Sequence, residues 1–473
     1  MLLIAGVLEM KKQGKNKQVS VGEKAQVFSQ KGFELINPNA AGIDIGASEH
    51  WVSVPIGRDS ESVRRFGCFT SDLQAMVTWL KQCGIKTVAM ESTSVYWIPM
   101  FQILETSGFE VRLVNAHFVK TVPGRKSDVL DCQWLQQLHT YGLLSGSFRP
   151  EDQICVLRSY IRQRDNLIRS SSTHILRMQK ALQEMNLHLN QVLSDITGIT
   201  GLKIIRAIVG GERDPKVLAS MKDCRVKSSI TEIEKALTGD YRTEHIFVLK
   251  QELHLYEIYI AQIQLCDIEI EQYLGSFEDK NGDKPPLPPE KTKKTKGNSP
   301  QFDLRSHLYR ISGVDFTAID GFGVLTVQTL LSEVGLDPGR FPTVKHFTSW
   351  LGLCPGSRIS GGKVLSSKTR KVVNRAATAL RVAAQSLASS KSAAGAFYRR
   401  KKAQLGAPKA ITATAHKLAR IFYHMWKHGD TYVDTGANSY EHKYKQRAIS
   451  NLKKKAKDLG FDLVEQPQIV EVS

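Results

Sequence analysis

From residue 40 to 55 the chain reads A-A-G-I-D-I-G-A-S-E-H-W-V-S-V-P, two alternating apolar runs about a glycine-containing turn, which predicts a β-hairpin. A helical spacing follows from about Leu73 to Cys83, then a short apolar run K-T-V-A-M-E with the composition of a buried strand. A helix is expected from about Val95 to Ser107, a strand at E-V-R-L-V-N, and another helix through S-D-V-L-D-C-Q-W-L. Strands alternating with helices imply a parallel or mixed sheet covered by helices, an α/β domain ending near Pro150. From Glu151 to about Leu189 apolar residues recur at helical spacing (Ile154, Leu157, Ile161, Ile168, Ile175, Met178), and about Ile230 to Leu274 repeats the character. Two such amphipathic segments predict an antiparallel hairpin or an oligomerising coiled coil, with ordinary bundle packing as the alternative.

Periodicity stops at S-F-E-D-K-N-G-D-K-P-P-L-P-P-E-K-T-K-K-T-K, which reads as a linker, and a mainly helical domain follows. That domain opens with a G-F-G between apolar runs, resembling a helix-hairpin-helix turn or plain helix capping. The divisions expected are an N-terminal extension over 1–39, the α/β domain over 40–150, a long-helix region over 151–275, a linker over 276–301, a helical domain over 302–435 and a basic tail over 436–473.

Charge sharpens this picture. The chain of 473 residues carries a formal net charge of +19. From Phe341 onward there are 24 Lys and Arg against 7 Asp and Glu, so nearly the whole excess is C-terminal. A concentrated basic segment beside a near-neutral remainder is the footprint of nucleic-acid binding. The basic runs R-R-K-K (Arg399 to Lys402) and K-K-K-A-K (Lys453 to Lys457) read as solvated faces that touch backbone without reading sequence. No apolar segment approaches a membrane-spanning length, so no membrane partner is expected. The start M-L-L-I-A-G-V-L lacks a preceding basic region and reads as a frayed tail, not a signal peptide. Seven scattered cysteines without a C-x-x-C pair argue for reduced thiols in a cytoplasm and against a zinc module.

Four acids stand where packing alone does not call for them. Asp44 lies mid-strand between Ile43 and Ile45, and Glu91 ends the apolar strand at the edge where open α/β sheets place ligands. Asp128 and Asp131, three apart, share one helix face; alone they would be a solvated helix start. Gathered at one edge, four carboxylates need a cation, and Mg²⁺ or Mn²⁺ suits oxygen donors. Two such ions roughly 4 Å apart can stabilise both oxygens of a phosphoryl displacement. A G-I-D-I-G strand also opens actin-like sugar kinases, but the second glycine-rich phosphate segment of those enzymes is missing here and they have no use for a basic tail.

A second constellation is P-G-S-R-I-S-G-G-K-V-L-S-S-K-T-R-K. Ser360 precedes Gly361 and Gly362, with Arg358 and Lys363 beside it, an accessible hydroxyl among cations that can steady a phosphate. A helix expected from about Ser367 would put Lys368, Lys371 and Arg375 on one side. Ser357, Ser366 and Ser367 compete with Ser360 as candidate nucleophiles.

Taken together, Asp44, Glu91, the Asp128/Asp131 pair, the long helices and the later S-G-G-K resemble the insertion-sequence transposases with a RuvC-like DEDD domain, described as bridge-RNA-guided recombinases. The resemblance runs from about Ala41 to Trp426. It implies an RNase H-like (RuvC-like) N-terminal domain, a coiled coil for dimer or tetramer assembly, and a mainly α-helical C-terminal transposase domain. It also implies that the four acids hold Mg²⁺, that Ser360 attacks DNA to give a covalent phosphoserine link in a composite site, and that a structured non-coding RNA pairs with target and donor DNA. The alternatives are a metal-dependent junction endonuclease using activated water, and a nucleic-acid-binding protein whose acids are structural.

Overall fold

A computed structural model describes residues 34–115, 128–282, 286–288 and 298–464; the N-terminal extension before residue 34, part of the linker and the end of the basic tail lie outside them. The chain divides into two compact units at Arg149 and Pro150.

The first unit is a mixed sheet of five strands, β1 (Ala40–Ile45), β2 (Glu49–Ser53), β3 (Val63–Gly67), β4 (Thr87–Glu91) and β5 (Glu110–Val114), in the order β3-β2-β1-β4-β5. β2 runs antiparallel to both β1 and β3, whereas β4 is parallel to β1 (Ile43 beside Met90) and to β5. Helices α1 (Thr70–Gln82) and α2 (Trp97–Thr106) provide the crossovers, and α3 (Asp128–Thr140) follows β5. The Asp72 carboxylate accepts the Phe69 N–H at 3.2 Å and so caps the start of α1. The period of two then sorts side chains by face. Ala41, Ile43, Ile45, Val52, Val88 and Met90 pack with Met76, Leu80, Met100 and Leu104 into one core. Ala89 and Val114 pack on the other face with Leu135 of α3. This is the RNase H-like arrangement that the resemblance implies.

β3 was not foreseen. Its segment V-R-R-F-G has two arginines and pairs only along the sheet edge, where Arg65 meets Glu49 at 3.1 Å, so no apolar alternation marks it.

The second unit is built on two helices of 33 residues each, α4 (Asp152–Glu184) and, after four shorter helices, α9 (Thr243–Gly275). Their contacts pair Gln153 with Tyr273, Arg164 with Asp267, and His174 with Glu252, so the two run antiparallel. The intervening α5 (Leu189–Val192), α6 (Ile199–Val209), α7 (Pro215–Ser220) and α8 (Ile230–Ala236) close a core around Leu187, Ile204, Ile205, Leu218 and Leu237. The expected helix over 230–274 is therefore two. It breaks at Gly239, where a Cβ would stand 2.4 Å from the Met185 carbonyl oxygen, so the backbone turns against the end of α4.

Beyond the linker come α10 (Leu304–Ser312), α11 (Val324–Val334) and α12 (Val344–Trp350), a ribbon of β6 (Arg358–Ser360) and β7 (Lys363–Ser366), then α13 (Arg375–Ser386), α14 (Ala393–Leu405), α15 (Ala407–His428) and α16 (Gly436–Asp458). Phe316, Phe347, Phe422 and Trp426 form the aromatic centre, with Phe316 and Phe422 centroids 4.5 Å apart. The G-F-G follows α10 and a 3-10 turn at Phe316–Ala318 and leads into α11, whose N-cap is Gly323, so of the two expected roles it is helix capping that the structure shows. Gly321 is there for packing: its Cβ would come 2.8 Å from the Ala383 carbonyl oxygen. No helix among the described residues is long and apolar enough to cross a membrane.

Candidate active site

Asp44 and Glu91 lie side by side, because each is one residue beyond the Ile43–Met90 pair of the parallel neighbours β1 and β4. Both fall on the face covered by α3, the parity of Gly42 and Ala89. Asp128 opens α3 and Asp131 lies one turn along it. What brings the helix onto the strand is Gly42: a Cβ there would sit 2.3 Å from the Cys132 carbonyl oxygen and from the Gln136 nitrogen. The α3 backbone thus rests on the β1 backbone two residues before Asp44. A glycine inside an otherwise apolar strand is a signal of such close approach.

The electrostatics follow from this convergence. Burial, then the charges of Asp128, Glu91 and Asp131, push the Asp44 carboxyl up to about 6, against a hydrogen bond from the Ile45 backbone. Glu91 is itself buried, Asp131 half-buried and Asp128 exposed, so the cluster grades from sheet to solvent. Cys132, beneath the acids, has its thiol pushed up to about 12 by burial and by Asp44, which makes it inert. Behind the cluster, buried His139 of α3 lies 2.8 Å from Thr87 Oγ1, whose hydroxyl also donates to the Glu110 carbonyl, tying the helix to β4 and β5.

Among the described residues no three His, Cys, Asp or Glu side chains form a finished metal-binding group. The acids are electrostatic neighbours without being a closed ligand set. Their chemistry nonetheless fits a hard divalent cation: all donors are oxygen, and the mutual repulsion expressed at Asp44 is what a cation would relieve.

Ser360 belongs to the second unit. It ends β6 at the tip of an exposed ribbon, and Gly361 (φ +55°) and Gly362 (φ +76°) make the two-residue turn to Lys363. Those positive φ angles are why two glycines follow the serine. Arg358 and Lys363 are exposed on the same ribbon. Lys368 and Lys371 are exposed too, but on an irregular return strand that comes before α13, not on the helix expected there; α13 starts at Arg375. The segment is instead held by backbone, with the Gly356 N–H donating to the Lys368 carbonyl at 2.9 Å and Arg370 to the Ser349 carbonyl at 2.6 Å. Arg375 pairs with Asp165 of α4 at 3.1 Å. Of the rival serines, Ser366 accepts a 3.4 Å bond from the Lys368 N–H.

Comparison with known proteins now bears on these two regions. Residues 41–187 match a family model described as Transposase, of the DEDD type of IS110, and residues 315–399 match one described as Transposase IS116/IS110/IS902 family. The chain belongs to the insertion-sequence transposases. The transposase's four acids all lie inside the first match, and Ser360 with its neighbouring cations inside the second. No curated protein matches the transposase. Its general activity is cutting and rejoining DNA strands, so DNA is a partner.

Proposed function

We propose that this transposase holds Mg²⁺ or Mn²⁺ with Asp44, Glu91, Asp128 and Asp131 and uses the Ser360 hydroxyl as its nucleophile. The observation that carries the reading is the convergence of the four carboxylates, with Asp44 held near 6 by burial and by the other three. A divalent cation bound there would neutralise charge that develops as phosphoryl groups are displaced. The side chains' own part is to present oxygen donors from two adjacent strands and one helix, seated by Gly42. Ser360 contributes an exposed hydroxyl: its Oγ–P bond forms as one sugar–phosphate ester bond breaks. The proton lost by Oγ is balanced by the one taken up by the departing sugar oxygen. Rejoining is the same exchange, with a sugar hydroxyl displacing Oγ. Arg358, Lys363, Lys368 and Lys371, all exposed around the ribbon, support contact with phosphates, whereas Arg375 is engaged by Asp165.

Assembly of copies into a dimer or tetramer has its own support. α9 carries a second apolar stripe, away from α4, in which Val248, Leu255, Ile258 and Leu265 are exposed at steps of seven, three and seven. Guidance by a structured RNA rests on the family resemblance, and sequencing the RNA that copurifies with protein expressed from its native flanks tests it.

The chemistry is tested by trapping. Incubated with element-end DNA, the parent protein yields a Mg²⁺-dependent covalent protein–DNA adduct, and Ser360→Ala yields none. An adduct persisting in Ser360→Ala moves the nucleophile to Ser357, Ser366 or Ser367. Nicking without any adduct favours the second reading, a metal-dependent junction endonuclease using water. Asp44→Asn abolishes cutting in either case.

A further inference from the structure

The outer face of α15 carries a row of basic side chains that the proposed chemistry does not use. Its inner face, with Leu418, Phe422, Met425 and Trp426, is spent on the aromatic core. The opposite face exposes Arg420, His424, Lys427 and His428, roughly one to each helical turn of about 5.4 Å. These residues form one wall of an open groove of about 1000 Å³ whose other wall is Pro342–Val344 and Asp430–Val433. Carboxylates there are few and engaged: Asp430 meets His424 at 3.3 Å, and Asp434 accepts from the Ala393 N–H at 3.0 Å.

The row continues onto α16. That helix is docked against α14 through Arg400, which pairs with Glu441 and lies over the rings of Tyr440 and Tyr444. Lys417 lies over Phe397 and Tyr440 at the junction. Burial holds its ammonium below the usual lysine range; Asp434 opposes this, and the nearby Arg447 of α16 adds to it. Lys417 is half-buried and Arg447 exposed beside it, and a bound polyanion would offset the repulsion between the two. Beyond Arg447, helical spacing puts Lys454 on the same side of α16. A solvated charge face needs no concavity, whereas here the cations line one.

We propose that the α15 groove, extended by α16, binds the phosphate backbone of duplex DNA outside the bonds being cut, adding affinity without reading sequence. A double strand is favoured over a single one because the rings beside the groove are already committed. Tyr423 is buried and donates to the Phe341 carbonyl at 2.7 Å, Tyr432 reaches Asp434 at 3.5 Å, and Tyr440 and Tyr444 hold Arg400. Binding of unpaired strands draws on free aromatic platforms. The proposal rests on the protein's acting on DNA and is independent of which residues cut.

The test is the salt dependence of affinity, measured by fluorescence anisotropy on the full chain with labelled 30-base-pair duplexes of unrelated sequence. Each lost phosphate contact flattens the slope of log K against log salt by about 0.9. The triple variant Arg420→Gln/Lys427→Gln/Arg447→Gln therefore flattens it by roughly 2–3, equally for every duplex. A control triple at exposed positions of the small helical cluster and α9, Lys216→Gln/Lys235→Gln/Lys250→Gln, keeps the parent slope. The proposal is overturned by an unchanged slope in the groove variant, by equal flattening in the control triple, or by a larger loss on single-stranded DNA or duplex RNA than on duplex DNA. Thermal unfolding of both triples at the parent temperature excludes misfolding as the cause, and glutamine at Arg420 alone, with a loss near one third, serves if the groove triple unfolds early.

Discussion

Replacing Gly42 by alanine tests the seating of α3 more sharply than any change to the acids themselves. The added Cβ would lie 2.3 Å from the Cys132 carbonyl oxygen and the Gln136 nitrogen, and 2.9 Å from the Gln136 Cα, where ordinary contact begins at 3.4 Å. All three are backbone atoms of one helix, so no side chain can swing aside and α3 must retreat by about 1 Å. Overpacking of this kind costs about 1–3 kcal/mol. At about 4 °C per kcal/mol for a unit of this size, the melting temperature should fall by roughly 4–12 °C. The retreat also carries Asp128 and Asp131 away from Asp44 and Glu91, and a misplacement of about 1 Å in a reacting site costs on the order of 10²-fold in rate. The assay is excision of a plasmid-borne element end, quantified by PCR across the rejoined junction, alongside thermal unfolding. Gly146→Ala, where a Cβ meets nothing within 4 Å, is the neutral control. Parent stability and parent rate in Gly42→Ala would refute the seating of α3 on β1. Lost stability with an unchanged rate would show that the spacing of the acids does not limit the reaction.

Three further outcomes follow from the packing. His139 is held down to about 4 by burial, then by Arg112, whereas an unfolded imidazole titrates near 6.5, so protons bind the unfolded chain first and stability falls as pH drops through that window. The slope is about 1.4 kcal/mol per pH unit and the total about 3 kcal/mol; urea unfolding at pH 7.5, 5.5 and 4.5 should show this contribution in the parent and lose it in His139→Gln. Arg164 and Asp267 form a buried pair between α4 and α9, so Arg164→Ala strands a carboxylate and should cost about 3–5 kcal/mol in denaturant unfolding, while Arg164→Met/Asp267→Leu should recover most of it. Leu255→Lys/Ile258→Lys on the exposed stripe of α9 should lower the mass measured by light scattering without lowering the melting temperature of the monomer; an unchanged mass would remove that stripe from assembly.

Local periodicity made much of this molecule legible. The hairpin of β1 and β2, the buried strand ending at Glu91 and the long helices α4 and α9 each advertise themselves within a dozen residues, because alternation and helical spacing are properties of one element against one core. Asp44 and Glu91 stood out for the same reason, as acids in runs that should be apolar. What the chain alone could not show depends on partners distant in sequence. β3 is a strand because β2 offers it an edge, not because V-R-R-F-G alternates. The break at Gly239 exists because the end of α4 occupies the space a straight helix would need. Lys368 and Lys371 leave the helical path because backbone bonds to Gly356 and Arg370's hold on Ser349 tie their segment down. Gly42 shows the division most clearly. In sequence it is one small residue in a strand, and only the fold reveals that its missing side chain lets α3 reach the sheet and turns four separate acids into one cluster.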